Sequence, residues 1–402
     1  MKTRNLILVD PFRRNAFYPL TWSRPVAGLR LGILTIAEKW ALDFHAQTSH
    51  AVSGNLEPVY QPIVEDDNYW IFGNILPQTE LCHSLAQLAV GELLSIGDER
   101  IAGHFNKQQM LDFLSVGMLH PPKIQFVEPY QVRRLAHLWE LFQWNEFELE
   151  ADFLRMTSGR ISMPIPDHVK LSGNRIFVEE GALLQPCTIN TTMGPIYIGH
   201  NAEVMEGCMI RGGLALCNDS QLKMGTKVYG ATTIGPGCRV GGEVNNSIFQ
   251  SNANKAHDGF LGNSLIGEWV NIGADTNASN LKNNYEWVKQ WSYETRRFEK
   301  TNGLFCGLVM GDHAKCGINT MFNTGTVVGF GANVFGAGFP RQFIPDFAWG
   351  GASGFSTFTL NKFFQTAHQV MERRGQVMTD AEKNMISMIY EDTSEFRNWE
   401  TA

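Results

Sequence analysis

The sequence predicts a mixed, three-part architecture: an α/β domain over residues 1–160, a parallel β-solenoid over 165–352 and a helical tail over 353–402. Three observations carry this. Residues 1–160 hold nine of the 39 glycines and residues 161–352 hold twenty-eight. An aliphatic residue recurs every six positions through the second segment. From Phe355 onward that period vanishes.

In the first segment, Asn5–Val9 is an apolar run ended by Asp10-Pro11, the pattern of a short buried strand. Leu31–Leu42 and His137–Met156 carry apolar spacing that suits helices. Arg160–Asp167, with Pro164 and Pro166, reads as the linker.

In the second segment, Ile198, Val204, Ile210, Leu216, Leu222, Val228, Ile234 and Val240 keep the six-residue spacing without a miss. A helix repeats apolar residues at three and four, and a flat strand at two, so neither explains six. A coiled parallel β-structure does: three six-residue units make one triangular turn, each aliphatic residue points into the prism, and stacked turns bury one continuous core. The period returns in shifted phase at Phe260, Ile266, Ile272, Met310, Cys316, Phe322, Val328 and Val334. The breaks at 246–260 and 275–308 are expected to be loops leaving the prism, where sites are commonly built. In the tail, Asn361–Arg374 and Thr379–Arg397 look helical, the second opening on a Thr379-Asp380 cap. The tail is expected to pack outside the prism and cover its open end.

Composition narrows the function. Thirty-three Lys and Arg against forty Asp and Glu give a net charge of −7, which argues against nucleic acid as a partner but not against a small phosphorylated substrate. No apolar run reaches the ~18 residues of a membrane span, and the apolar stretch Leu6–Val9 is too short for a secretion signal. The seven cysteines are scattered without metal spacing and suit a reduced, cytoplasmic protein.

Four stretches carry a resemblance: the hexapeptide run, Glu243–Ser247, Asn254–Gly262 and Ile266–Ala274. They resemble the left-handed β-helix acyltransferases. Among these the chain is similar to the bifunctional N-acetylglucosamine-1-phosphate uridylyltransferase/glucosamine-1-phosphate N-acetyltransferase family, in its divergent bacterial and archaeal branch. The resemblance implies His257 as catalytic base, with Glu243 fourteen residues upstream and Asn271 fourteen downstream as its catalytic companions. It implies substrate contacts from Lys227, Asn245, Lys255, Phe260 and Asn280, and coenzyme A contacts from Ala274, Ile318 and Gly336. The chain departs from the pattern where Asn245 replaces a phosphate-binding lysine, Lys227 an arginine and Phe260 a tyrosine. The chemistry is coherent: acyl transfer to an amine needs a base near neutral pH, a carboxylate to orient the imidazole, and a backbone N–H for the oxyanion. The plainer reading of His257 is a loop histidine bonded to a carbonyl.

Pro19-Leu20-Thr21-Trp22-Ser23-Arg24-Pro25 resembles a segment of the sugar-1-phosphate nucleotidyltransferases, whose Rossmann-like domain the first segment is then expected to share. The Gly-rich phosphate loop of that family is replaced by Asp10–Ala16, which lacks glycine. Nucleotide or phosphate contacts are expected from Asp10, Arg13, Arg14, Thr21 and Arg24, with Asp10 a possible Mg²⁺ ligand. A set of surface arginines beside a strand end is the other reading.

The expected protein is a cytoplasmic homotrimer. It would acetylate glucosamine-1-phosphate from acetyl-CoA and then join N-acetylglucosamine-1-phosphate to UTP with Mg²⁺. Two alternatives stand beside it: a sugar-1-phosphate nucleotidyltransferase whose β-helix serves assembly or regulation, and a non-enzymatic trimeric scaffold.

Overall fold

The computed structural model describes residues 3–117 and 123–400. Arg4–Val9, second in a six-stranded sheet, is the central one of its three parallel strands, between Ala46–Ala51 at the edge and Asp67–Phe72. Glu99–Asn106 then joins antiparallel, followed by Leu93–Ile96 and Ile124–Phe126. The apolar centre of Arg4–Val9 is buried because helices and loops cover both faces of its sheet. The helix Ile36–Asp43 starts at a capping box of Thr35 and Glu38, five residues inside the start expected from spacing alone. Glu140–Thr157 is the long helix expected near residue 137.

From Lys170 the chain winds into a parallel β-solenoid of about ten turns, ending near residue 350. Three sheets form its faces, and up to Asn277–Ala278 each strand pairs with the strand three places before it. The six-residue period is therefore the step from face to face, and eighteen residues make a coil. Ile198, Leu216 and Ile234 stack on one face, Val204, Leu222 and Val240 on the next, Ile210, Val228 and Val244 on the third. All nine are at most 2 % exposed and belong to one core. None of these turns could bury that surface alone, so the stack is the cooperative unit.

The two phase breaks have different causes. No loop leaves the prism at 246–260; the strands Ile248–Phe249, Asn254–Lys255 and Phe260–Gly262 continue the three faces in register. The phase shifts because the corner at Gly241-Gly242 is two residues shorter than its predecessors and the next, at Asn246, is one shorter, so Leu261 takes the inward position expected for Phe260. Gly242 has φ +76°, and a Cβ on Gly241 would sit 2.4 Å from the Ala256 carbonyl oxygen, so only glycine turns the chain this tightly. The second break is a true excursion. It begins after Asn277–Ala278, returns at Val309–Met310, and carries the hairpin Lys289–Ser292/Arg297–Lys300.

The tail helices Leu360–Glu372 and Asp380–Asp392 lie along the flank instead of over the end. Phe363 packs on His313, Phe330 and Phe347, which belong to successive coils. Thr379 is the cap expected from the sequence, and Glu382 completes a capping box with it. The end of one face is closed by Gly354–Thr357, antiparallel to Ala348–Gly351.

Polar contacts bind the first segment to the solenoid. Buried Arg24 reaches Asp312 at 2.5 Å and Glu268 at 3.2 Å. Asn145 donates to the Ala231 carbonyl, and Gln250 accepts from the Arg30 N–H. Beneath this seam, buried Lys39 pairs with Glu148 and Asp152 on the long helix. Among the described residues no helix is long and apolar enough to cross a membrane.

Leu222→Ala, which empties an inward position with neighbours above and below, is expected to cost about 2–5 kcal/mol in chemical denaturation. Met209→Gln, at an exposed outward position, should stay within ~0.5 kcal/mol.

Candidate functional site

Stacking coils in register aligns their corners into ridges, and one ridge gathers much of the implied acyl-transfer set. The Asp275 N–H donates to the Asp258 carbonyl and the Asn319 N–H to the Ala274 carbonyl. His257, Ala274 and Ile318 therefore occupy the same corner of successive coils. Gly317 lies under Phe335, which puts Gly336, with open space where its Cβ would be, on the next step. At roughly 4.8 Å per coil, these four positions span about 15 Å. His257 and Ile318 are exposed.

The faces on either side supply the rest. On one, Lys227, Glu243 and Phe260 are paired across three coils, with Asn245 two residues from Glu243. Glu243 accepts a 2.6 Å hydrogen bond from the Tyr229 hydroxyl, and Asn245 donates to the Tyr229 carbonyl. The Phe260 N–H is held by Asn277, while Asn280 donates to Asn263. On the other face, Asn271 accepts from Asn254. The fold thus brings His257, Glu243 and Asn271 around one corner, but no hydrogen bond joins the imidazole to Glu243. Tyr229, the residue that holds Glu243, was missed by sequence reasoning; its outward place one coil below Asn245 was the available signal.

Lys255 is not a surface contact. It takes the inward position above Val240, is 1 % exposed, and donates at 2.9 Å to the carbonyls of both Gly241 and His257. A lysine stands in the core column because the shortened corner leaves two carbonyls facing inward, and its ammonium satisfies both. It braces the backbone that carries His257. Burial pushes its pKa down to about 8.

The first segment holds a second candidate site. A cavity of about 540 Å³ opens at the carboxyl ends of Arg4–Val9, Ala46–Ala51 and Asp67–Phe72, beside the central strand where the chain order reverses. Open α/β sheets bind ligands at such switch points. Asp10, Phe12, Arg14 and Asn15 line it. Asp10 accepts from the Val26 N–H through one oxygen; its other oxygen and the Asn15 side-chain amide oxygen are buried without a hydrogen-bond partner. Burial raises the Asp10 pKa to about 6, against the pull of the Val26 N–H and the Arg14 charge. Arg14 donates to Asn55 and Tyr18. Phe12, 97 % exposed, stands edge-on to Phe72 at the rim.

Three other expected phosphate contacts are turned away from this cavity. Arg24 is spent on Asp312 and Glu268, because the loop carrying it docks on the solenoid. Thr21 is fully buried and donates to the Arg14 carbonyl. Arg13 forms a two-point ion pair with Glu294 of the solenoid hairpin. Among the described residues no group of three or more His, Cys, Asp or Glu could hold a metal ion. A Mg²⁺ held chiefly by nucleotide phosphates needs fewer protein ligands, and the Asp10 oxygen that accepts no hydrogen bond and faces Arg14 at 3.7 Å fits that lesser demand.

Residues 6–161 match a family model described as sugar nucleotidyl transferase. The chain is 24 % identical over 249 residues to a bifunctional protein GlmU of Synechococcus elongatus, covering 56 % of this chain and 50 % of the relative. It is 37 % identical over 87 residues to one of Methanocaldococcus jannaschii, covering 22 % and 21 %. The chain spans about half the length or less of these curated relatives. A solved structure of AntD, an N-acyltransferase from Bacillus cereus in complex with dTDP and 3-hydroxybutyryl-CoA, aligns with TM-score 0.21 and 13 % identity, over 51 % of this chain and 92 % of that one.

Lys255→Met should destabilise the protein and make the corner carrying His257 exchange its amide hydrogens faster. The pH dependence has a definite sign. Between pH ~8 and ~10.5 the unfolded chain binds the lysine proton and the native protein does not, so wild-type stability gains over the variant as pH rises through that window. Paired urea titrations at pH 7.5 and 10 measure it; an unchanged gap would assign the titration elsewhere.

Proposed function

We propose that this chain, whose matches fit a divergent GlmU-like family, is a transferase of sugar-nucleotide biosynthesis with acyl transfer at the solenoid ridge and nucleotidyl transfer in the first segment. The single observation that carries the reading is the ridge: His257, Ala274, Ile318 and Gly336 on one corner of successive coils, with Glu243 and Asn271 on the adjoining faces.

An extended acyl-coenzyme A laid along that ridge presents its thioester near His257. His257 takes a proton from the amine of an amino-sugar phosphate as nitrogen attacks the thioester carbonyl. The C–N bond forms, the C–S bond breaks, and the thiolate leaves to be protonated. Exposure suits His257 to this role, since its ring is open to an incoming amine. Glu243 orients the imidazole once substrate displaces Tyr229; bonds of this kind often tighten only in the complex. The Ala274 N–H serves the oxyanion. Lys227 supplies a cation for the sugar phosphate, with Asn245, Phe260 and Asn280 shaping the sugar site. Acetyl-CoA and glucosamine-1-phosphate are the substrates we assign, in a cytoplasmic homotrimer.

In the first segment, the cavity at the switch point receives the nucleotide. Phe12 offers a ring face to the base, and Arg14 and Asn15 offer polar contacts to sugar and phosphate. Asp10 would contribute one carboxylate to a Mg²⁺ ion, which neutralises phosphate charge when bound. With no Gly-rich loop, phosphate recognition falls to side chains.

His257→Ala is expected to lower acetyl transfer from acetyl-CoA to glucosamine-1-phosphate by about 10²-fold or more, with no loss of thermal stability because the ring is exposed. Full retained turnover would remove His257 from the chemistry. Asp10→Asn should abolish pyrophosphate release from UTP and N-acetylglucosamine-1-phosphate while leaving acetyl transfer intact. If both substitutions suppress both reactions, the two sites are not separate.

A further inference from the structure

A groove of about 640 Å³ runs between one solenoid face and the end of the first tail helix, apart from the first-segment cavity. Its floor follows from the coil register. The residue before each inward position on this face points outward, and the column reads Gln221, Arg239, Asn254, Asn271, Lys315 across five paired strands. Its wall is Arg373 and Arg374 at the carboxyl end of Leu360–Glu372. Lys223 completes the lining.

Five cations therefore face one concavity, and no carboxylate lines it. Two of them are held close together. Arg374 and Arg239 both donate to the Gly237 carbonyl, at 2.9 and 3.0 Å, and Arg239 also bonds the Asp219 carbonyl. Lys315 donates to the His313 carbonyl. Backbone oxygens align these groups without neutralising them. Lys223 and Arg373 have no side-chain partner among the described residues. Burial and then the Arg374 charge lower the Arg239 pKa, while burial alone brings Lys315 down to about 8. Acids near the groove have other partners: Asp219, whose charge acts on Arg239, accepts from Asn201, Glu203 from Gln221, and Glu268 from Arg24 and Asn252.

Repulsion at this density is relieved by a multivalent anion. Guanidinium forks and ammonium points together match closely spaced phosphates, and the asparagine amides on the floor add neutral donors. We propose that this groove binds a ligand bearing two or more linked phosphate groups, held by Lys223, Arg239, Lys315, Arg373 and Arg374. The site joins the solenoid to its tail and stands whether or not His257 is a base. Linked phosphates come from a nucleoside triphosphate, from coenzyme A or from released pyrophosphate, and the experiment separates these sources.

The test is calorimetric titration of the full chain with inorganic tripolyphosphate at low and moderate salt. Binding should occur, weaken as salt rises, and fall by about tenfold or more in a Lys223→Glu/Arg373→Glu double variant, two partial or exposed positions whose change spares the core. Lys170→Ala, at an exposed lysine on the first coil, should leave that affinity unchanged. Competition by UTP, coenzyme A and pyrophosphate then ranks the sources. No binding at millimolar tripolyphosphate, an affinity indifferent to the double variant, or an equal loss of binding in Lys170→Ala would each overturn the proposal. Failure here with acetyl transfer intact would leave the acyl-transfer reading standing.

Discussion

Everything in the solenoid depends on one constraint: each face of each coil must place one residue inward, directly above its counterpart a coil below. Where that holds with aliphatic side chains, from Ile198 to Val240, the chain needs no long-range instruction beyond its own repeat. The same constraint fixes what points outward. Glu243 rises above Lys227 and Asn271 above Asn254 because their inward neighbours are pinned. Corners aligned by inward packing become ridges, and ridges present backbone and side chains at regular intervals.

The irregularities of this repeat coincide with the corner that carries His257 and with the contact to the first segment. The Gly241-Gly242 corner is the shortest in the run, and the coil above it carries Lys255 inward and His257 outward. A buried ammonium among aliphatic residues is costly unless its protons find acceptors. Here the tight corner provides them, so the two departures from the pattern satisfy each other. The result is a histidine on a rigidly held piece of backbone, the support a reacting group requires. The second irregularity, the excursion ending at Leu308, sends a hairpin back to the first segment, where Glu294 meets Arg13 and Tyr293 packs edge-on against Tyr18 and Trp22.

That contact, with Arg24 between Asp312 and Glu268, makes the two halves one structural unit. A buried guanidinium beside two carboxylates contributes modest net stability, but removing either side leaves an uncompensated charge. The docking therefore specifies orientation more than it adds stability. It also redirects residues that a nucleotidyltransferase loop would aim at phosphate, which leaves Asp10, Arg14 and Asn15 at the cavity.

The sequence by itself determined the solenoid, its three faces and the tail helix cap at Thr379. Each is written in local spacing, and short-range periodicity survives any tertiary arrangement. It misread 246–260 as a loop because a shortened corner and an excised loop shift the phase alike; only backbone pairing tells them apart. It also assigned Lys255, Thr21 and Arg24 to ligands by residue type. Whether a cation faces solvent, core or a carboxylate depends on partners between 2 and 288 positions away, such as the His257 carbonyl for Lys255 and Asp312 for Arg24. The tertiary structure alone decided those pairings, and with them the cationic groove, whose arginines and lysines come together only when the tail helix lies down on the coils.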